Sequence, residues 1–223
     1  MDIENKQKMN ASQLKHTLEI HGIDTSMWGK SNAKNLEDLA IEIANNDCNL
    51  KFINGALQRF VTVLYILITK GEKKILFEKE QVLPDGRIRK RNIPLAEKIT
   101  PDEDTENIDK AILRAIDEEL SFIGSPGTDV TKVSHECEIL HNSMQTKIKG
   151  PIESHSYPSL KTTYSYHFVQ CTVKNLPDGE FQTYEERDDG YLITKWHWVT
   201  MEEAIKLNPD MGLYFNLEAC TIF

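Results

Sequence analysis

The stretch from Thr100 to Phe122, TPDEDTENIDKAILRAIDEELSF, constrains this chain more than any other. At about 100° per residue it reads as a helix on which Ile108, Ala111, Ile112, Leu113, Ala115, Ile116 and Leu120 share one broad apolar arc. Glu119 falls inside that arc and Glu118 at its edge. An ionised carboxylate there faces a large desolvation cost unless a cation or metal meets it. Adjacent acids on one wedge of a helix suit a hard divalent cation such as Mg²⁺. A simpler reading makes it a surface helix, with Glu118 and Glu119 solvated and Arg114 pairing with Glu118 at i,i+4.

The spacing resembles the box of the Nudix hydrolases, G-x5-E-x7-R-E-U-x-E-E-x-G-U, where U is a bulky aliphatic residue. Thr100 stands at the first Gly, and Glu106, Arg114, Ile116, Glu118 and Glu119 follow in register, with Phe122 at the last apolar place. Ser121 replaces the second Gly, and Ala115 stands where the family carries a metal-binding Glu. The resemblance implies an α/β class, an α/β/α sandwich around a mixed sheet. It implies Mg²⁺-dependent hydrolysis, with Mn²⁺ as a substitute, of a nucleoside diphosphate linked to another group. Glu118 and Glu119, assisted by Glu106, would be the metal ligands, and Arg114 would hold their geometry. With one carboxylate missing, the alternative is a Nudix-fold module that binds a nucleotide or a protein partner without turnover.

The other segments fall in the order that such a domain requires. Phe60 to Thr69, FVTVLYILIT, reads as a central strand and KKILFEKEQV as a half-exposed partner across a hairpin. Turn signals follow at Pro84-Asp85-Gly86 and Pro101. Between them lie Arg87, Arg89, Lys90 and Arg91, of which the three arginines are candidates for substrate phosphate because guanidinium forks match phosphate oxygens. Trp196-His197-Trp198-Val199 reads as a strand leading into MEEAIKL, with Thr200 and Glu203 as a capping box. The acidic loop before it, Glu185-Glu186-Arg187-Asp188-Asp189-Gly190, offers Glu185 or Glu186 as a further metal ligand or general base.

Residues 1–56 read as a separate helical module and 57–223 as the Nudix-like domain. Ser12 opens one helix that Gly22 stops, and Asn32 or Ser31 caps a second carrying Leu36, Leu39, Ala40 and Ile43. Trp28 is expected to plug the gap between them. The pair is similar to the SAP-type helix hairpin of nucleic-acid-binding proteins, but Glu37, Asp38 and Glu42 on the second helix argue against that partner. Its expected role is to pack on the main domain or cover its substrate site. In the second half, His135 and Cys137 project to one face of a strand without a fourth zinc ligand. Tyr164, Tyr166 and Phe168 alternate with Thr163, Ser165 and His167, and Tyr157 or Tyr164 is a secondary candidate for base stacking.

A net charge of -9 argues against broad binding to nucleic-acid backbones, which needs many cationic contacts. No apolar run approaches the roughly 20 residues of a membrane-spanning helix. The N-terminal MDIENKQKMN lacks a signal-peptide core, and the four cysteines form no C-x-x-C pair. The expectation is an intracellular, cytoplasmic protein acting on a nucleotide-type diphosphate.

Overall fold

The computed structural model describes residues 11–31, 33–71, 74–100, 107–124, 130–209 and 211–212. The chain is a mixed α/β protein on a large sheet, divided into two compact units. The first comprises residues 1–63, 98–106 and 146–167, and the second residues 64–97, 107–145 and 168–223. Glu106 and Pro101 lie outside the described residues. No helix among the described residues is long and apolar enough to cross a membrane.

In the first unit, α1 (Ala11–Ile20) turns Leu14 and Leu18 inward, and Gly22 closes it at φ 73°. Helix α2 (Leu36–Ala44) is capped by Asn35, not by Asn32 or Ser31. Asn35 and Asp38 form a reciprocal capping box, which satisfies two backbone donors at once and fixes the start. Trp28 packs with Leu14, Leu18 and Leu39 as expected, and its Nε1 donates to the Pro158 carbonyl at 2.8 Å. Tyr157 belongs to the same core, 5.0 Å from the Trp28 ring and without solvent exposure, so it is no platform for a base. β1 (Asn49–Ile53) pairs antiparallel with the start of β2 (Ala56–Lys70).

Beneath this core lies a buried ionic hub. Glu42, which the sequence presents as a solvated acid, is 5% exposed. Arg59 Nη2 meets it at 2.5 Å, Lys34 Nζ at 2.6 Å and Lys98 Nζ at 3.5 Å. Burial alone would raise its carboxyl, but the Lys34 hydrogen bond and the charges of Arg59 and Lys98 outweigh that and hold it down at about 2.

In the second unit, the hairpin of β2 and β3 (Lys74–Val82) is as expected, with Thr69 opposite Ile75. β3 is not half exposed, however. One edge pairs with β11 (Gly190–Thr200) and the other with the end of β2 and then with β4 (Ile88–Ile93), so Ile75, Leu76 and Phe77 are buried. A short β5 (Leu95–Lys98) precedes α3 (Ile108–Leu120), and β6 (Phe122–Gly124), β7 (Thr131–Lys132) and β8 (Cys137–Glu153) follow it. β9 (Lys161–Val173) lies beside β8, and β10 (Phe181–Arg187) joins β6 to β11. Strands β2, β8 and β9 contribute residues to both units.

Helix α3 buries Ala111, Ile112, Ala115, Ile116 and Leu120. Leu113, at the margin of the arc, is 48% exposed. Ser121 ends the helix at φ -71°, a conformation open to any residue, and its Oγ donates to Asp117 at 2.7 Å. Glycine is therefore not required at that place. Helix α4 (Met201–Leu207) starts at the expected Thr200–Glu203 capping box. Thr200→Ala removes the acceptor for the Glu203 amide and should lower stability by about 1 kcal/mol, read as a shift in the denaturant midpoint. A change indistinguishable from zero would show that the cap is dispensable.

Candidate active site

Strand alternation and helical period bring four acids of the second unit toward one another. Glu119 follows Ala115 and Ile112 on the buried side of α3, which packs on β10. Glu78 lies in the middle of β3 and is 4% exposed. Glu97 comes from β5 and Glu185 from β10. Burial raises the Glu119 carboxyl first, and the charges of Glu185, Glu78 and Glu97 raise it further, to about 7, against a smaller pull from Arg91. Glu78 is also raised, by burial, despite Arg91 and Arg89. Arg91 Nε stands 3.2 Å from Glu78 Oε1, yet neither atom completes an aligned hydrogen bond. Glu119 thus meets like charge from three sides in a partly dry place.

Three arginines border these acids. Arg89 donates through Nε to Gln81 Oε1 at 3.1 Å; burial, with Arg91 and Arg187 nearby, lowers its proton affinity. Arg187 Nη2 pairs with Glu185 at 2.8 Å and also feels Glu119 and Asp189. Cations held beside one another in this way suit a multiply charged anion.

Several expected residues lie elsewhere. Glu118 does not join Glu119: its side chain is 60% exposed and faces Arg114 at 4.0 Å, an i,i+4 surface pair. One residue is 100° of helix, which turns Glu118 off the buried side. Arg87 is bound to the Asp85 turn at 2.6 Å with a side chain 77% exposed. Glu185 and Glu186 belong to the end of a strand, not to a loop, because β10 and β11 pair as far as Arg187 and Gly190. Alternation sends Glu185 and Arg187 to one face, and Glu186 to the other with Tyr184 and Tyr191. Nothing in the sequence pattern singles out Glu97, Gln81 or Arg187. The signal for Glu78 was an acid within a buried strand, FEKE.

His135 makes no metal set. Its Nε2 lies 2.9 Å from the Leu120 carbonyl and its Nδ1 3.3 Å from that of Lys174, tying the end of α3 to the chain after β9. Among the described residues, no three His, Cys, Asp or Glu side chains are gathered closely enough to hold a metal ion. No protein-family model matches the chain, and a search of curated proteins finds no significant similarity.

Proposed function

We propose that the chain is a Nudix-type, Mg²⁺-dependent hydrolase of a nucleoside diphosphate linked to another group, with the second unit built as the family's α/β/α sandwich. The observation that carries this reading is Glu119, partly buried beside Glu78, Glu97 and Glu185, with Arg89, Arg91 and Arg187 near them. Hard carboxylate oxygens suit Mg²⁺, and Glu78 Oε1 has no aligned hydrogen-bond donor, but the acids are not gathered closely enough here to chelate it. Glu78, Glu97 and Glu185, drawn closer than they stand here, would hold Mg²⁺, or Mn²⁺ in its place, which would supply charge neutralisation on the diphosphate oxygens.

The chain's own side chains would then divide the work. Arg89 and Arg91 orient the diphosphate, with Gln81 fixing the Arg89 fork. Glu119, whose carboxyl is raised to about 7, can take a proton from an attacking water near neutral pH. Arg187, paired with Glu185 at 2.8 Å, holds that carboxylate along the strand face.

A noncatalytic binding module is the second reading, and Ala115 favours it. That residue is fully buried one turn before Glu119, where the family's box has a carboxylate. A panel of ADP-ribose, dinucleoside polyphosphates, nucleotide sugars and nucleoside triphosphates, incubated with Mg²⁺ or Mn²⁺, separates the two. The hydrolase reading expects phosphate-bond cleavage by wild type that Glu119→Gln protein lacks. Equal release by both, with saturable binding of one panel member, would replace it with the binding module.

A further inference from the structure

We propose that the first unit holds a second binding site, a pocket for a free amino acid, separate from the acids and arginines of the second unit. A cavity of about 260 Å³ is lined wholly by residues of the first unit. In the β1–β2 ladder Asn49 stands opposite Phe60 and Lys51 opposite Gln58, so these side chains leave one face of the sheet, while Leu57 packs into the helical core on the other. Thr163 Oγ1 donates to Gln58 Oε1 at 3.2 Å, which puts Thr163 and, two residues along β9, Ser165 on the cavity's face. The chain that leads into β1 supplies an acid. Asn46, at φ 60°, makes the left-handed turn out of α2, and the Asp47 amide donates to the Glu42 carbonyl at 2.8 Å, so the backbone that carries Asp47 is fixed beside the cavity.

Size and charge choose the ligand. An apolar cavity of about 150 Å³ takes benzene, so this one holds about ten non-hydrogen atoms, enough for an amino acid and far too few for a nucleoside diphosphate. Two charged side chains line it, Asp47 and Lys51, one of each sign. Such a pocket matches a zwitterion, whereas an anion or a cation alone would leave one of the two charges unmatched. The Lys51 ammonium rests over the Phe60 ring, 5.3 Å from its centre, a contact that leaves its donors for a carboxylate. The ligand's carboxylate therefore goes to Lys51 and its ammonium to Asp47. Ser165 Oγ lies 3.4 Å from His167 Nε2, and His167 Nδ1 lies 2.8 Å from Thr146 Oγ1. That chain, with Thr163 tied to Gln58, orients the wall hydroxyls before the ligand arrives. Phe60, Ile99 and Ile148 meet the ligand's side chain, which favours one with apolar carbons.

The test titrates the full chain, without Mg²⁺ or nucleotide, with each common free amino acid at up to about 10 mM, a range that nearly saturates a site with a Kd of about 1 mM. Calorimetry reads the affinity and stoichiometry, and the thermal unfolding midpoint reads stabilisation by the bound ligand. At least one amino acid should bind saturably, one per chain, and raise the midpoint. Its deaminated acid and its carboxyl amide should each bind about tenfold or more weakly, as should the amino acid itself to Asp47→Asn and Lys51→Met protein, because each change removes a charged hydrogen-bond partner. Neither side chain is fully buried, so both variants should keep the wild-type midpoint without ligand. Absence of saturable binding by every amino acid, equal binding of the deaminated and amidated analogues, or unchanged affinity in both variants would each overturn the proposal. Glu119→Gln protein should bind the amino acid with the wild-type constant, which keeps this result apart from any result on hydrolysis.

Discussion

Glu119→Gln protein is expected to be more stable than wild type at pH 8 and to have lost hydrolysis by on the order of 100-fold or more. The two effects share one cause. In the folded chain the Glu119 carboxyl is raised from 4.5 to about 7, because burial and the neighbouring Glu185, Glu78 and Glu97 oppose its charge. A carboxyl raised on folding binds its proton more tightly in the native state, so its stability contribution is complete below pH 4.5 and is lost as pH rises to 7. A shift of that size corresponds to about 3 kcal/mol. Glutamine keeps the shape without the charge and escapes the loss. The difference in unfolding free energy should therefore open between pH 4.5 and 7 and close in acid. Mg²⁺ should narrow it at pH 8 by offsetting the repulsion that only wild type carries. A Gln variant no more stable at pH 8, with hydrolysis intact, would remove Glu119 from the centre of the site.

Glu42→Ala should act in the opposite sense, lowering the stability of the first unit by about 3–5 kcal/mol, because truncating one member of a buried ion pair strands the other. Arg59 is the stranded group, with a side chain 5% exposed and its guanidinium 5.1 Å from the centre of the Tyr157 ring. The pH dependence is again fixed by sign. A carboxyl held at about 2 contributes stability above its unfolded value of 4.5 and loses it as pH falls from 4.5 toward 2. Denaturant titrations of wild type and variant should converge over that acid window. A loss below about 1 kcal/mol at pH 7 would mean that Arg59 finds water or another acceptor. Glu118→Gln is a useful comparison, since an exposed i,i+4 pair contributes only about 0.3–0.5 kcal/mol.

Local features were the most legible. Helix α3, the β2–β3 hairpin, the Gly22 stop and the Thr200 capping box are set by contacts within a few residues, which periodicity and cap chemistry report directly. Sequence alone points to Asn32 or Ser31 as the α2 cap because several polar residues precede the helix, and only the reciprocal Asp38 contact singles out Asn35. The charged residues of KKILFEKEQV suggest a half-exposed β3, yet a strand paired along both edges buries even Glu78.

At the candidate site, the helix alone determined that Glu119 shares the buried side, since 3.6 residues per turn leave it no other direction once Ile112, Ala115 and Ile116 are packed. Its companions were decided only by tertiary structure. Glu78, Glu97, Glu185 and Arg187 come from three separate strands, and their meeting depends on pairings between residues as distant as Glu78 and Trp196. Long-range strand pairing leaves no mark at any one position, because each ladder contact is made by backbone groups that every residue carries. The sequence thus determined the helix and the orientation of its acid, and the sheet decided which charges that acid faces.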